Sequence, residues 1–339
     1  MKIMLVCPAP PGSRSGNRVT AMRWARIFRY LGHRAVIAHE YAGERCDLLV
    51  ALHARRSRAA IFRYRKLWSG RPLVVALTGT DLYRDIRTHS AARRALELAD
   101  RLVLLQPCGL EELPPRFRPK ARVIYQSARP VQAPPRTAGR FFNVCVLGHL
   151  RRVKDPFRTA LALVLLPAES RIRVTHAGRA LEAGYAARAR RLERRESRYR
   201  WLGEVPRWWA RRILARSDLL VLSSRMEGGA NVISEAVVSG VPVLASRISG
   251  SVGLLGARYP GFFPVGDTQA LARLLRRAET DAPFYEDLSN WCARLAPLFD
   301  PAREQSTWQQ LLDELAAGEQ RGDHDADQDE ALGRSAGAG

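Results

Sequence analysis

This 339-residue chain lacks the cysteine pattern of a disulfide-bonded or zinc-binding protein, and it lacks a long apolar run. Its five cysteines are odd in number, widely scattered and never spaced C-x-x-C, which predicts neither a disulfide framework nor a zinc site. No run approaches the roughly 18 apolar residues that a membrane span needs. The apolar residues at the start end at Pro8, too early for a signal peptide. We therefore expect a cytoplasmic protein with reduced thiols and no membrane partner.

Lysine is also scarce, since only four of the 55 basic residues are lysines. A formal net charge of +22 alone would indicate a polyanion as partner. The arginines, however, are spread over both halves of the chain and do not form one stripe with aromatic residues. This scatter favours a solvated arginine-rich surface over a specific nucleic-acid site, which is kept as the alternative from another class. A field of this sign also attracts anionic small molecules.

Short apolar segments alternate with helical stretches along most of the chain. This alternation predicts doubly wound parallel sheets, and the length suits two domains of this α/β kind. The predicted strands cover residues 2–7, 34–38, 47–52, 73–77, 101–105, 122–125, 142–147, 171–177, 219–223 and 242–245. The expected parts are a Rossmann-like domain with a proline-rich linker at 1–139, a second Rossmann-like domain at 140–300, an amphipathic helix at 301–317 and a disordered tail at 318–339.

Two carboxylates, Glu227 and Glu235, stand eight positions apart across a predicted strand, loop and helix. Glu227 should lie at the carboxyl end of the buried strand, and Glu235 two turns into the helix. The small residues between them should leave the backbone uncovered, so that its N–H groups can meet an anionic ligand. These residues are Gly228, Gly229 and Ala230. The pattern favours a nucleotide-sugar site over two unrelated surface carboxylates.

A second candidate loop follows the strand predicted at 142–147 and contains Gly148, His149, Arg151, Arg152 and Lys154. A fixed cation at this place would stabilise the charge that a leaving diphosphate accumulates. The alternative is a solvated run of charges, which is common in so basic a chain. His149 could donate to a phosphate or only fill space.

These segments resemble family 4 of the GT-B glycosyltransferases. Residues 224–246 resemble its E-x7-E signature, residues 146–154 its diphosphate loop, and residues 200–205 the short strand that lines the nucleobase. His149 departs from the pattern, because the family usually has arginine there. The resemblance implies a GT-B fold of two Rossmann-like domains facing a cleft, onto whose first domain the last helix crosses back, and catalysis without a metal cofactor. Asp325, Asp327 and Asp329 mimic a metal-binding D-x-D, but their low-complexity setting favours no site.

The same resemblance implies roles for individual residues. Glu235 would hold the ribose hydroxyls, Glu227 the hydroxyls of the donor sugar, and Lys154 the diphosphate. Further donor-binding positions would be Gly16, Asn17, Glu204, Val205 and Asn231.

A narrower resemblance covers the chain up to about residue 316. The strings at 16–24, 51–57, 77–86 and 224–230 look like those of the selenosugar synthases of selenoneine biosynthesis. The resemblance implies that a sugar is transferred from UDP-N-acetylglucosamine or UDP-glucose to selenium supplied as selenophosphate. An ordinary family 4 transfer to a hydroxyl of a lipid, glycan or small molecule is the nearest alternative. Retention or inversion at the anomeric carbon and the oligomeric state are both left open by the residues.

The acceptor would be held by residues at strand ends of the first domain. His53 follows a predicted strand and, by resemblance, approaches the reacting sugar as a catalytic residue; the alternative is a packed or surface histidine. Arg55, Arg56 and Ser57 should open the next helix and offer an anion site. The string Thr78, Gly79, Thr80 and Asp81 ends a strand and begins a helix, with Asp81 as N-cap. Its hydroxyl groups also suit an oxyanion or a sugar.

Overall fold

The computed structural model describes residues 1–131 and 140–317. The predicted linker at 130–139 lies mostly outside these residues. The predicted disordered tail at 318–339, with Asp325, Asp327 and Asp329, lies wholly outside them. Within the described ranges no helix is both long and apolar enough to cross a membrane.

The chain divides into two units. Unit 1 contains Met1–Leu104, Leu113–Ile124 and the described chain from Glu304 onward, whereas unit 2 contains Leu105–Glu112 and Tyr125–Arg303. The segment Leu105–Glu112 follows a strand of unit 1 yet packs within unit 2, which the sequence did not predict.

Unit 1 alternates strands and helices. Its strands are β1 (Lys2–Val6), β2 (Arg34–Ala38), β3 (Leu48–Leu52), β4 (Leu73–Leu77), β5 (Arg101–Leu104) and β6 (Ala121–Val123). Its helices up to β6 are α1 (Gly16–Tyr30), α2 (Arg58–Leu67), α3 (Ile86–Thr88) and α4 (Ser90–Leu98), with a π-helix at Asp81–Asp85 and a 3-10 turn at Pro115–Lys120.

The strands of unit 1 form a parallel sheet in the order β2-β1-β3-β4-β5-β6. Every residue of the central strands β3 and β4 is buried, as expected for strands covered by helices on both faces. The strand order reverses between β1 and β3, and ligands of open α/β sheets bind beyond the strand ends at such a switch point. His53, directly after β3, therefore lies at this point.

Unit 2 repeats the alternation of strands and helices. It contains α5 (Gly109–Glu112), β7 (Phe142–Leu147), α6 (Arg158–Leu163), β8 (Ile172–Ala177), α7 (Tyr185–Arg195), β9 (Tyr199–Trp201), α8 (Arg207–Arg216), β10 (Leu219–Leu222), α9 (Asn231–Val238), β11 (Val243–Ser246), α10 (Ser249–Leu255), β12 (Phe262–Phe263), α11 (Thr268–Thr280) and α12 (Ala282–Leu295). Two 3-10 turns cover Arg152–Lys154 and Ala296–Phe299.

The sheet of unit 2 is parallel in the order β12-β11-β10-β7-β8-β9. Its order reverses between β7 and β10, which pair directly through Leu219 with Val144 and Leu220 with Cys145. The loops after these two strands are the ones that contain Lys154 and Glu227. The two loops therefore flank the switch point of this sheet.

The last helix, α13 (residues 301–317), belongs from Glu304 onward to unit 1. Its Trp308 is fully buried and meets Trp24 and Phe28 of α1 edge to face, with ring centroids 4.8 Å apart in both pairs. The buried Glu304 accepts a hydrogen bond from Trp24 Nε1 at 2.8 Å and pairs with Arg23 at 3.1 Å. Aromatic packing and a paired buried charge thus hold the apolar face that the sequence predicted for this helix.

Candidate functional site

The loops after β7 and β10 are tied to each other by hydrogen bonds. The Ser223 hydroxyl donates to Asp155 O at 2.9 Å, and the Arg225 N–H donates to Val153 O at 2.8 Å. Asp155 has a left-handed backbone with φ of 43°, which turns the chain directly after Lys154. The position of Lys154 is therefore set by the end of β10 as well as by its own loop.

Lys154 and Glu227 form an ion pair across these loops. The Ser224 hydroxyl donates to the same Glu227 oxygen at 2.6 Å. The Glu227 side chain is only 11% exposed, so this pair is less screened than a surface pair. Beneath it, a Cβ on Gly250 would stand 2.0 Å from Glu227 O, so α10 packs directly on the Glu227 backbone.

A small recess opens at this end of the sheet. It is lined by Gly148 and His149 after β7, by Lys154, and by Ser223 and Ser224 after β10. The structure thus brings together two of the sequence-predicted loops and places a cation and hydroxyl groups around one space, with Glu227 paired to that cation.

The small residues before α9 are less open than the sequence suggested. Gly228 and Ala230 are buried, so the expectation of an uncovered backbone is wrong at these two positions. Gly229 packs against Leu105, in the segment Leu105–Glu112 that follows β5, since a Cβ on Gly229 would lie 2.5 Å from the Leu105 Cβ. The glycine at 229 is therefore required by packing.

Glu235 lies about one turn into α9, which begins at Asn231, and not two turns as the sequence suggested. Its carboxylate pairs at 2.8 Å with Arg207, the first residue of α8. The pairing was not predicted, because no local rule connects positions 28 residues apart. Of the two positions expected after β9, Glu204 is exposed and Val205 is buried.

Two side chains of the β7 loop have defined environments. His149 Nδ1 accepts the Arg179 N–H at 3.1 Å, so the neutral ring carries its proton on Nε2 as a donor. The exposed Arg152 donates its backbone N–H to Glu182 at 2.6 Å. Arg151 is half-buried and immediately precedes the 3-10 turn.

In unit 1, His53 has a strained backbone. Its φ of 72° is unusual for a residue other than glycine, and such outliers cost about 1–3 kcal/mol and concentrate at functional sites. The ring is buried; Nδ1 accepts the Arg56 N–H at 3.4 Å, and Nε2 lies 3.0 Å from Thr80 Oγ1. The Thr80 hydroxyl can accept the Nε2 proton, which aligns the ring with the loop after β4.

Asp81 joins the loops after β3 and β4, and its predicted role as a helix N-cap is wrong. It is fully buried within the π-helix Asp81–Asp85. Its carboxylate accepts backbone N–H groups from Ala54 at 3.0 Å, Thr78 at 3.1 Å and Gly79 at 2.8 Å. The carboxylate therefore organises both strand ends around His53.

Two arginines share one buried carboxylate near these loops. Asp85 accepts from Arg84 Nε at 3.0 Å and lies 3.5 Å from Arg55 Nη1, and both arginine side chains are at least 40% exposed. Arg84 and Asp85 were missed by the sequence analysis. Thr78 Oγ1 is buried and has no hydrogen-bond partner among the described residues. The group offers net positive charge and a donor to an anion.

The structure also places the remaining predicted residues of unit 1. Arg55, Arg56 and Ser57 lie in a turn before α2, which starts at Arg58, and they do not open the helix. The Ser57 hydroxyl donates to Leu52 O at 2.6 Å and is thus engaged within the fold. Gly16 and Asn17, which the resemblance assigns to the donor, are the first residues of α1 in unit 1. Their assignment to the donor remains a prediction.

Among the described residues there is no cluster of three or more His, Cys, Asp or Glu side chains placed to hold a metal ion. The expectation that catalysis needs no metal stays a prediction.

Comparison with known proteins connects this geometry to a family. Residues 133–291 match the sequence model of the family described as glycosyl transferases group 1. This range includes Lys154, Glu227 and Glu235. This part of the chain is thus similar to group 1 glycosyltransferases.

Solved structures resemble the whole fold. HepE of Anabaena, in complex with UDP-glucose, superposes with a TM-score of 0.75 at 19% identity and covers 94% of this chain and 100% of its own. Sucrose-phosphate synthase of Thermosynechococcus elongatus gives 0.75 at 15% identity, covering 94% and 99%. A glycosyltransferase of Rickettsia africae gives 0.71 at 12% identity, covering 93% and 98%. The predicted GT-B fold is thus confirmed, and the match to the family model falls mostly in its second Rossmann-like part.

The role of Asp81 can be tested through stability. Asp81→Asn replaces one carboxylate oxygen by an NH2 group, which cannot accept a backbone N–H. We expect the free energy of unfolding to fall by about 2–3 kcal/mol, measured by urea denaturation. Asp313→Asn, at an exposed carboxyl of the same unit, is the control. Equal stability of both variants would contradict this role.

A buried histidine behind the β7 loop predicts a pH dependence. Burial lowers the pKa of His176 from 6.5 to about 4. The unfolded chain therefore takes up a proton below pH 6.5 while the folded protein stays neutral, so stability is lost as the pH falls from 6.5 to about 4. Over this range, wild type should lose about 3 kcal/mol more unfolding free energy than His176→Gln. If urea denaturation gave the same loss of unfolding free energy for both proteins across this pH range, the assignment would be contradicted.

Proposed function

We propose that this protein is a UDP-sugar-dependent glycosyltransferase whose group 1 domain binds the donor. The observation that carries the proposal is the Lys154–Glu227 pair, held at the switch point of the sheet by two cross-linked loops. A cation and a carboxylate at this place suit two adjacent parts of a nucleotide sugar, the diphosphate and the sugar hydroxyls. HepE, which superposes on this fold, has been solved with UDP-glucose, and this supports the choice of donor.

The geometry predicts how the donor exchanges contacts with the site. A diphosphate that approaches Lys154 competes with Glu227 for its ammonium group, and Glu227 is then available to accept from sugar hydroxyls. The bond between the anomeric carbon and the β-phosphate oxygen breaks with its electron pair leaving on UDP. Lys154 stabilises the charge that develops there, and it does so more in the transition state than in the ground state. Glu235, at the start of α9, accepts the ribose hydroxyls.

Variants of the donor site separate these contacts. Glu235→Ala is expected to abolish detectable UDP-sugar binding in calorimetry and to weaken uridine as well, because the ribose loses its acceptor. Lys154→Ala should weaken UDP by about 10- to 100-fold and leave uridine unchanged, since only UDP carries the diphosphate. Glu286→Ala, at an exposed position of α12, is the control. Wild-type affinity for UDP in both site variants would remove the assignment.

For the acceptor we propose selenophosphate, as in the selenosugar synthases that the chain resembles. Four separated strings support this, and two of them, at 51–57 and 77–86, contain strand-end residues of unit 1. Arg55 and Arg84 lie around Asp85, and the buried Thr78 hydroxyl has no partner in the part of the chain that the structure describes. Together with the strained His53, these groups suit a small anion better than a neutral alcohol. A hydroxyl acceptor would need a base to remove its proton, whereas the selenium of selenophosphate needs little deprotonation.

The proposed reaction balances without a redox partner. A selenium lone pair forms the carbon–selenium bond as UDP leaves with the electrons of the carbon–oxygen bond. The product is a selenium-linked sugar phosphate, and water that attacks its phosphorus releases inorganic phosphate and the selenosugar. Positioning and charge stabilisation carry the rate.

Mass spectrometry tests the acceptor directly. Incubation with selenophosphate and either UDP-N-acetylglucosamine or UDP-glucose should give a sugar with the selenium isotope pattern and one equivalent of UDP. Arg55→Ala should raise the KM for selenophosphate by about 10-fold with little change in the KM for the donor. Arg45→Ala removes an exposed charge outside these loops and is the control. Transfer to hydroxyl acceptors alone, with no selenium-containing product, would refute the proposal for selenophosphate and leave the donor assignment standing.

A further inference from the structure

A histidine and a tyrosine lie buried directly behind the loop that follows β7. His176 of β8 is fully buried, and its Nε2 lies 3.2 Å from Gly148 O. Its Nδ1 lies 2.9 Å from the hydroxyl of Tyr199 in β9, which is also buried. The three groups form a chain of hydrogen bonds that runs from β9 through β8 to the loop.

The direction of each hydrogen bond in this chain follows from chemistry. A carbonyl oxygen only accepts, so His176 Nε2 carries the proton and donates to Gly148 O. Nδ1 of the neutral ring must then accept, and the Tyr199 O–H donates to it. The tyrosine thus holds the ring in the one tautomer that can bind the loop.

The peptide group between Gly148 and His149 is held on a second side. A Cβ on Gly178 would lie 1.9 Å from Gly148 O and 2.9 Å from His149 N, so the backbone at Gly178 packs on this peptide. The described backbone has no cis peptide bond, and in a planar trans peptide the N–H points opposite to the C=O. Because the carbonyl of this peptide accepts a hydrogen bond from the buried His176, its N–H, which belongs to His149, points away from the core.

We propose that His176 and Tyr199 are positioning residues that aim the His149 N–H at the diphosphate of the donor. The proposal rests on the proposed function, because it assigns a phosphate to the recess that Gly148, His149 and Lys154 line together. A backbone donor fixed in this way needs no reorganisation when charge develops on the leaving group. It also explains why an imidazole occupies a buried position of β8, where burying it without such bonds would be costly.

Side chains that mimic single nitrogens of the ring test the proposal. A glutamine amide nitrogen can reach the place of Nε2, whereas that of asparagine reaches only the place of Nδ1. Calorimetry on each full-length variant gives the Kd for UDP and the Kd for uridine. The ratio of these two constants is the preference for the diphosphate. His176→Gln should keep the wild-type preference within about threefold, while His176→Asn and His176→Leu should lower it by about 10-fold or more. Tyr199→Phe, which frees the tautomer, should fall between them, and uridine should bind all variants alike.

Circular dichroism and thermal melting identify the variants that remain folded, and Tyr199→Phe is the mildest of them. If Tyr199→Phe and His176→Leu are folded and prefer UDP over uridine as strongly as wild type does, the positioning role is overturned. Equal losses for UDP and uridine would also overturn it, because they would reduce His176 to a support of the fold. If wild type itself shows no preference for UDP over uridine, the proposed function fails, and this inference fails with it.

Discussion

The cross-link between the loops after β7 and β10 is the constraint on which the candidate donor site depends. Two hydrogen bonds, from the Ser223 hydroxyl and the Arg225 N–H, join the end of β10 to the turn around Lys154. Without them, Lys154 would stand on a surface loop of a very basic protein. With them, it lies beside Glu227 at the place where the strand order reverses, and α10 closes the other side of Glu227 through Gly250.

The strand-end loops of unit 1 are organised by a different interaction with a similar result. The buried Asp81 carboxylate collects backbone N–H groups from both loops, and His53 takes a left-handed backbone beside it. Unit 2 thus fixes its loops with a serine hydroxyl and a backbone N–H, whereas unit 1 uses a carboxylate. In both units, buried polar groups fix the loops, and these loops place charged side chains at the switch point of the sheet.

Much of this arrangement follows from local sequence, because parallel strands buried on both faces read as short apolar runs. The strands at 34–38, 73–77 and 142–147 have the bounds that these runs predict, and the E-x7-E spacing placed Glu227 and Glu235 on the correct elements. What the sequence could not show depends on contacts between distant segments. Three features are of this kind: the π-helix at Asp81–Asp85, the pairing of Glu235 with Arg207, and the inclusion of Leu105–Glu112 in unit 2. The sequence did not single out His176, because the partners of its ring come from two other segments, β9 and the loop after β7.

The most direct test of the account is a crystal structure of the full chain with a UDP-sugar bound. We expect the β-phosphate within hydrogen-bond distance of Lys154 Nζ and the His149 N–H, the sugar hydroxyls on Glu227 and the ribose on Glu235. A nucleotide bound elsewhere, with the Lys154–Glu227 pair unchanged and Glu235 still on Arg207, would contradict the central claim.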